Sequence, residues 1–276
     1  MKLPINKTNP IYAGIDVGSS TAKCVLLGEY GICAWAVMDT GTVPAGAGES
    51  VFLQALQKAG VVGDEVQYAV GTGYGRIALP FVDRVVTELT CHARGAHFLD
   101  PEVRTVIDIG GQDSKVIRLN SDGSMFDFVM NDKCAAGTGR FLQVMARALD
   151  TELAPCETEL STRPACINST CAVFAESEVV SLLAAGEKMA DIAAGLHLSV
   201  ARRVGNLAKR LGLQKKIVFV GGVAKNRGVG KALEDYLEVQ FAGLELDPQI
   251  IGALGAAVIA REHYLRTKMS IIDREQ

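Results

Sequence analysis

The chain has 276 residues, of which 49% are apolar and 21% are charged, and its formal net charge is −3. This balance is typical of a folded globular chain long enough for two domains; it excludes a disordered protein and gives no support for nucleic-acid binding. The apolar runs are too short to span a bilayer, and the first ten residues lack a secretory signal pattern, so we expect a cytoplasmic protein.

Short apolar runs alternate with helical patterns in the first hundred residues, which predicts an α/β arrangement. Proline at Asp100–Pro101 disfavours continuation of the last of these helices. The predicted elements are strands at Ile11–Ile15, Ala22–Leu27 and Ile32–Asp39, a helix at Gly48–Ala59, a strand at Gln67–Gly71 and a helix at Glu88–Leu99.

A second series begins after this proline. It contains strands at Thr105–Ile109, Lys115–Leu119 and Met125–Met130, helices at Arg140–Leu149, Phe174–Ala185 and Asp191–Leu211, a strand at Ile217–Val220, and helices at Val229–Leu237 and Ile250–Arg266. A strand, a glycine turn and another strand thus occur twice. This repetition predicts two related α/β halves, 1–102 and 103–276, around a cleft. The last helix is expected to pack back toward the first half.

In each series, a glycine-containing loop lies at the end of the first strand. Loop 1 is Gly14–Thr21 and loop 2 is Asp108–Lys115. Glycine permits a tight turn and lets backbone N–H groups approach a phosphate. The candidate nucleotide-binding residues are Gly18, Ser19, Ser20, Thr21 and Lys23 near loop 1, and Gly110 and Gly111 in loop 2. Asp16 and Asp108 could hold a hydrated Mg²⁺ through water. For either loop alone, an ordinary hairpin turn is the alternative.

A third signal is Phe219–Asn226, where a buried strand enters a double glycine. Gly221 and Gly222 would let a flat adenine or ribose lie close to the backbone, with Lys225 beside them and a helix beginning near Arg227. Neither a P-loop nor a dinucleotide-binding glycine motif is present. A plain strand-to-helix turn is the alternative, but the three signals in this order favour nucleotide binding.

These segments resemble the phosphate-1, phosphate-2 and adenosine motifs of the acetate and sugar kinase, Hsc70 and actin superfamily. Most of the chain further resembles the activator (ATPase) components of 2-hydroxyacyl-CoA dehydratases and the related ATPase subunits of benzoyl-CoA reductases, in the BadF/BadG/BcrA/BcrD ATPase family. Five segments carry this closer resemblance: Gly71–Arg76, Thr87–Ala96, Asp108–Lys115, Asn131–Phe141 and Ser169–Glu178.

The resemblance implies a two-domain actin-like ATPase fold with an ATP cleft between duplicated halves. It also implies one oxygen-sensitive [4Fe–4S] cluster per homodimer, with Cys134 and Cys171 of each subunit as ligands, and Mg²⁺ with ATP or ADP. By analogy, ferredoxin or flavodoxin would donate electrons. The acceptor would be an iron–sulfur acyl-CoA dehydratase, a benzoyl-CoA reductase-like enzyme or a double-cubane cluster protein.

The seven cysteines form an odd count, which argues against a disulfide framework, and most are expected in the core. Cys134 and Cys171 each precede a predicted helix, whose N-terminus favours negative charge. Cys156 and Cys166 are interpreted as non-ligands. A metal patch of Cys91, His92 and Arg94 is an alternative to helix packing for those side chains, and packing is favoured.

Gln112 and Asp113 in loop 2 are the candidate catalytic residues. In a hydrolase they would position Mg²⁺ or the attacking water, whereas in a kinase Asp113 would act as the base. We favour hydrolysis, because the short chain shows no segment for a sugar pocket. The family resemblance implies that ATP binding and hydrolysis drive low-potential electron transfer. The alternatives are a small-molecule kinase of the N-acetylhexosamine type and a non-catalytic actin-like scaffold. The sequence does not identify the partner enzyme.

Overall fold

The computed structural model describes residues 10–151, 163–167 and 171–275, so Cys156 lies outside the described residues. Every strand and helix predicted above is confirmed. The strands are β1 (Ile11–Val17), β2 (Thr21–Gly28), β3 (Gly31–Asp39), β4 (Val66–Thr72), β5 (Arg84–Val85), β6 (Thr105–Ile109), β7 (Ser114–Leu119), β8 (Met125–Asn131) and β9 (Ile217–Val220). The two-residue β5 was not predicted, because its side chains are exposed and show no apolar pattern.

The strands form two sheets with related topology. The first has the order β3-β2-β1-β4-β5 and the second the order β8-β7-β6-β9. In the first sheet, β1 forms an antiparallel hairpin with β2 and pairs in parallel with β4. In the second sheet, β6 forms an antiparallel hairpin with β7 and pairs in parallel with β9. The loop that closes each hairpin therefore lies at the same sheet edge as the end of the parallel neighbour.

The helices are α1 (Pro44–Ala59), α2 (Glu88–Leu99), α3 (Gly139–Ala148), α4 (Ala172–Ala184), α5 (Met189–Leu211), α6 (Arg227–Leu237) and α7 (Ile251–Glu275). Helix α1 starts four residues earlier than predicted, at Pro44, since proline is compatible with the first helical turn. Helix α7 continues beyond the predicted end at Arg266. Residues 265–270 are exposed, so an apolar pattern could not reveal this part of the helix. No helix of the described chain is both long and apolar enough to cross a membrane.

The chain divides into two compact units. The first contains Met1–Val103, Leu119–Met125 and Gln249–Gln276, and the second contains Arg104–Arg118 and Phe126–Pro248. In the first unit, α7 packs against α2, β1 and β4. Arg94 joins these helices by an ion pair with Glu262.

Residues 91–94, weighed above as a metal patch, take part in this packing. His92 is buried, and its Nδ1 lies 2.9 Å from the carbonyl oxygen of Glu88 in the same helix. Cys91 is buried too, and burial raises the pKa of its thiol to about 12. In the described part of the chain, no three His, Cys, Asp or Glu side chains are grouped as for a metal ion.

Candidate functional site

Both loops contain an aspartate followed seven residues later by a lysine. Asp16 lies opposite Lys23 across β1–β2, and Asp108 lies opposite Lys115 across β6–β7. The Nζ atom of Lys23 is 3.4 Å from Asp16 Oδ2, and that of Lys115 is 3.2 Å from Asp108 Oδ2. Opposite residues of an antiparallel pair point to the same face, so this spacing produces an ion pair in both loops. The shared pattern D-x-G-x-x-x-x-K was visible in the sequence.

The same hydrogen bond closes both turns. The N–H of Gly18 donates to the carbonyl oxygen of Thr21, and the N–H of Gly110 donates to that of Asp113, each at 3.0 Å. Loop 1 is also held from β3 by a residue that the sequence analysis missed. Thr40 donates from Oγ1 to the Gly18 carbonyl at 2.8 Å and from its N–H to the carbonyl of Ser20 at 3.0 Å. These bonds fix the conformation of loop 1 within its own unit.

The aspartate of each loop is in close contact with a glycine that follows the neighbouring parallel strand. Gly73 follows β4 with φ +85°, and Gly221 follows β9 with φ +88°. A Cβ added at Gly73 would lie 2.3 Å from Asp16 Oδ1, and one added at Gly221 would lie 2.3 Å from Asp108 Oδ1. Both the backbone angle and the close approach therefore require glycine at these positions. Gly73 was not among the candidate site residues, although it lies in a segment that carries the family resemblance.

The end of loop 2 carries the two candidate catalytic side chains. Gln112 is exposed, and the side chain of Asp113 is 25% exposed. Asp113 Oδ2 lies 2.9 Å from the Nζ of Lys115, which also contacts Asp108. Loop 2 thus presents an exposed amide beside two carboxylates that share one ammonium group.

Asp16 has a further neighbour on α2. A Cβ added at Gly252 would lie 3.0 Å from Asp16 Oδ2 and 2.9 Å from His92 Cε1. The imidazole and the carboxylate therefore approach the same point of α7 backbone. Neither helix packing nor a metal patch, the two interpretations weighed for His92, predicted this approach to Asp16, because a helical pattern does not show what lies beyond the helix.

The candidate adenosine segment forms a compact turn after β9. Residues Gly222–Lys225 form a short 3-10 helix, and Asn226 caps α6 by accepting from the N–H of Val229 at 3.1 Å. The ammonium of Lys225 lies 2.7 Å from Asp247 Oδ2. The double glycine, the lysine and the helix start are therefore adjacent, as the sequence indicated.

Cys134 lies in a hydrogen-bonded loop between β8 and α3. The side-chain amide of Asn131 donates to the carbonyl oxygens of Cys134 at 2.8 Å and of Ala136 at 3.2 Å. Thr138 Oγ1 donates to the carbonyl oxygen of Ala135 at 2.6 Å. These bonds hold the backbone, and the thiol remains partly exposed.

This cysteine loop is joined to loop 2 through the start of α3. The N–H of Gly139 donates to the carbonyl oxygen of Gly110, and the N–H of Arg140 donates to that of Gly111, both at 2.8 Å. The first amides of a helix have no partner within the helix, so loop 2 satisfies two of them. A shift of loop 2 along these bonds would be transmitted directly to the helix that follows Cys134.

Cys171 is the N-cap residue of α4, with φ −88° and ψ 135°. No acidic residue lies in the first turn of either α3 or α4, so both helix starts favour an anionic group. Cys171 is exposed, as is Cys166. Val173 and Phe174, in the first turn of α4, are 68% and 69% exposed.

The sequence pattern of the BadF/BadG/BcrA/BcrD ATPase family matches residues 13–260. The chain belongs to the BadF/BadG/BcrA/BcrD ATPase family. It is 48% identical to the activator of lactoyl-CoA dehydratase from Anaerotignum propionicum, covering 90% of this chain and 96% of the relative. It is also 48% identical to the (R)-2-hydroxyglutaryl-CoA dehydratase activating ATPase from Acidaminococcus fermentans, with 90% and 95% covered.

A solved structure of a dehydratase activator has the same fold. The activator of the 2-hydroxyisocaproyl-CoA dehydratase from Clostridium difficile, with bound ADPNP, superposes with a TM-score of 0.88 at 42% identity, covering 94% of this chain and 97% of that one. The actin-like ATPase fold implied by the sequence resemblance is therefore confirmed, as is the family.

Within this BadF/BadG/BcrA/BcrD ATPase, the structure brings the predicted residues together in sets. Loop 2, the double glycine after β9 and Cys134 belong to the second unit, where Gly221 contacts Asp108 and α3 contacts loop 2. Loop 1 belongs to the first unit. The roles assigned to the individual residues stay predictions.

Proposed function

We propose that this protein is an ATP-dependent activator that drives a low-potential, one-electron transfer to a partner iron–sulfur enzyme of the 2-hydroxyacyl-CoA dehydratase class. The relatives named as dehydratase activators, at 48% identity over nearly their whole length, support the choice of partner. Binding of the ATP analogue ADPNP to the structural neighbour supports ATP as the nucleotide. Ferredoxin or flavodoxin is proposed as the electron donor.

The observation that carries the proposal is the pair of backbone hydrogen bonds between loop 2 and α3. Gly110 and Gly111, proposed to bind phosphate, accept from the amides that begin the helix after Cys134. Helix α3 in turn packs against α4, the helix after Cys171. A ligand can shift a conformation only if it binds the two states differently. Here a phosphate held by loop 2 acts on the same carbonyl-bearing segment that anchors α3.

Cys134 and Cys171 suit a shared [4Fe–4S] cluster, the proposed resident cofactor. Cys134 is partly exposed and lies in the loop that leads into α3, and Cys171 is exposed at the N-cap of α4. Neither helix has an acidic first turn, and thiolates are the usual ligands of such a cluster. A cluster takes four cysteine ligands, and a two-fold homodimer presents each of these two residues twice. When bound, the cluster supplies the one-electron redox chemistry that protein side chains lack.

Exposed apolar side chains next to Cys171 suit a homodimer. Val173, Phe174 and Val180 on α4 are 68%, 69% and 49% exposed. Large exposed apolar groups of this kind mark surfaces that a partner covers. We assign the second copy of the chain to this surface, because the cysteine pair is incomplete without it.

The nucleotide is proposed to use the residues of both loops and the turn after β9. Gly18, Ser19, Ser20 and Thr21, with Lys23, would hold phosphate in loop 1, and Gly110 and Gly111 in loop 2, while Gly221, Gly222 and Lys225 would face adenosine. Asp16 and Asp108 are oxygen donors that would take Mg²⁺ through water, since their oxygens already contact a lysine and a glycine. Exposed Gln112 would orient the attacking water with Asp113.

The kinase and scaffold alternatives fit the described site less well. A kinase needs a carboxylate that accepts a proton from a hydroxyl, but the negative charge of Asp113 is already engaged by Lys115 at 2.9 Å. A scaffold has no use for two accessible cysteines, one in the loop before α3 and one at the N-cap of α4. Both alternatives predict a colourless protein, whereas the activator should show the visible absorbance of an iron–sulfur cluster after anaerobic purification.

The decisive experiment is stopped-flow oxidation of the reduced protein. The acceptor would be purified (R)-2-hydroxyglutaryl-CoA dehydratase, and the nucleotide would be ATP, ADP or none. We expect fast oxidation only with ATP. Equal rates in all three conditions would mean that the nucleotide does not gate electron transfer, and the proposed function would be wrong.

A further inference from the structure

Lys115 is a buried charged side chain held between two carboxylates. Its side chain is 2% exposed, and its Nζ lies 3.2 Å from Asp108 Oδ2 and 2.9 Å from Asp113 Oδ2. Asp108 is equally enclosed, at 4% exposure. The remaining oxygen of Asp108, Oδ1, faces the backbone of Gly221. The carboxylate is therefore fixed on both sides.

Loop 1 provides a matched comparison within the same chain. Lys23 pairs with Asp16 at 3.4 Å, and both side chains are somewhat more exposed, at 13% and 7%. When the two D-x-G-x-x-x-x-K patterns are aligned, Thr21 of loop 1 corresponds to Asp113 of loop 2. Loop 1 thus has one carboxylate for its lysine, whereas loop 2 has two.

Two carboxylates converging on one point repel each other in a medium of low dielectric constant and create a strong site for a cation. In loop 2 that point is held by the ammonium group of Lys115. A magnesium ion coordinated directly by Asp108 and Asp113 would need oxygen atoms at about 2.0–2.1 Å and would compete for the oxygens that Nζ contacts. The lysine and a directly bound metal therefore exclude each other.

We propose that Lys115 is a positioning residue that acts as an internal counter-cation: it keeps divalent metal out of direct contact with Asp108 and Asp113, so that the metal enters only as a complex with nucleotide. This inference rests on the proposed function, which assigns Mg²⁺ to the nucleotide site. It makes the nucleotide-free protein insensitive to divalent cations, and it makes the phosphates, rather than the protein, bring the metal to loop 2.

The test uses the full chain, purified anaerobically, with no nucleotide and no partner enzyme. Mn²⁺ replaces Mg²⁺ as the probe, and bound Mn²⁺ is measured by equilibrium dialysis with metal analysis. The thermal unfolding midpoint is followed at the same Mn²⁺ concentrations, since a ligand that binds only the folded state raises it. We expect Lys115→Met to bind Mn²⁺ at least about tenfold more tightly than the unaltered protein and to gain thermal stability with added Mn²⁺.

Three further variants make the result specific. Lys23→Met removes the matched lysine beside a single carboxylate and should change Mn²⁺ affinity by less than about threefold. Lys115→Arg keeps the charge and should remain insensitive to metal. Lys115→Met combined with Asp113→Asn should lose the gain, because only one carboxylate remains. If Lys115→Met does not fold, Lys115→Gln carries the same comparison.

The inference is overturned if Lys115→Met binds Mn²⁺ no better than the unaltered protein, or if Lys23→Met gains as much. It is also overturned if the unaltered protein binds Mn²⁺ tightly without nucleotide and Asp113→Asn abolishes that binding. None of these measurements involves ATP hydrolysis or electron transfer. Failure here would leave nucleotide-gated oxidation intact, whereas equal oxidation rates with ATP, ADP and no nucleotide would overturn the proposed function alone.

Discussion

The backbone amide of Arg140 donates to the carbonyl oxygen of Gly111 at 2.8 Å, and the preceding amide of Gly139 donates to Gly110 at the same distance. The proposed phosphate loop and the helix after Cys134 are therefore neighbours through main-chain bonds, without an intervening side chain. Loop 1 is held differently, by Thr40 at the end of the adjacent hairpin. Only loop 2 has a direct connection to the cysteine region among the contacts described, so nucleotide coupling should depend on loop 2.

The first prediction concerns this connection. A Cβ at Gly139 would lie 3.1 Å from the Gly110 carbonyl oxygen and 3.3 Å from Val223 Cγ2. Gly139→Ala should therefore push α3 away from loop 2 and lower ATP-gated oxidation by the partner about tenfold, a change of about 1.4 kcal/mol in barrier, with cluster content unchanged. The measurement is stopped-flow oxidation with and without ATP. Gly230→Ala in α6 is the matched control, because its nearest contact would be 3.9 Å. If both variants behave alike, the connection does not transmit the nucleotide state.

The second prediction concerns Gln112, which is exposed beside the buried Lys115. Gln112→Ala should lower ATP hydrolysis and partner reduction together, by roughly a hundredfold, because the attacking water loses its orienting amide. Iron content and visible absorbance should stay as in the unaltered protein. Steady-state phosphate release checks the first effect and stopped-flow oxidation the second. Unchanged hydrolysis would remove Gln112 from the catalytic group.

The third prediction concerns the cluster ligands. Cys134→Ser and Cys171→Ser should each abolish stable cluster incorporation, because a two-fold pair would lose two of its four thiolates. Cys166→Ser and Cys156→Ser should retain the cluster and serve as controls. Iron and sulfide are determined per chain, together with the molar mass by light scattering. A complete cluster in each monomer would contradict the shared site.

The fourth prediction concerns the proposed metal aspartates. Asp16→Ala and Asp108→Ala should each weaken Mg²⁺-dependent ATP turnover by at least about tenfold, because a carboxylate that positions the hydrated metal is lost. Circular dichroism provides the check that both variants fold. Wild-type turnover in both folded variants would rule out the two-loop arrangement.

The fifth prediction concerns Gly221, which has φ +88° and ψ 177°. Gly221→Ala should lower the free energy of unfolding by roughly 2–4 kcal/mol. The loss has two causes: the backbone conformation favours glycine, and the added Cβ would collide with Asp108. Gly60→Ala is the comparison: Gly60 has φ +72°, but no atom lies within 4 Å of the added Cβ, so about 1 kcal/mol is expected. Urea unfolding followed by circular dichroism gives both values. Equal losses would mean that contact with Asp108 contributes nothing.

The sequence by itself determined the succession of elements and the position of the two glycine-containing loops. Apolar periodicity defines buried strands and helices locally, and glycine turns mark the loops, so β1, β6, α2 and α6 could be predicted from neighbouring residues alone. Periodicity failed where burial no longer shapes the sequence, as in α7 beyond Arg266. The family and the ATPase activity followed from a resemblance that the comparisons confirm, while the cluster ligands stay a prediction.

The tertiary structure alone decided which distant residues meet. Gly73 contacts Asp16, and Gly221 contacts Asp108, because parallel strands bring their ends to one sheet edge. No periodic pattern predicts that the amides of Gly139 and Arg140 donate hydrogen bonds to loop 2. The same is true of the ion pair between Lys115 and Asp113. Such contacts depend on how a loop, a helix start and a strand converge in space. Local propensity does not encode this convergence; packing of the whole unit fixes it.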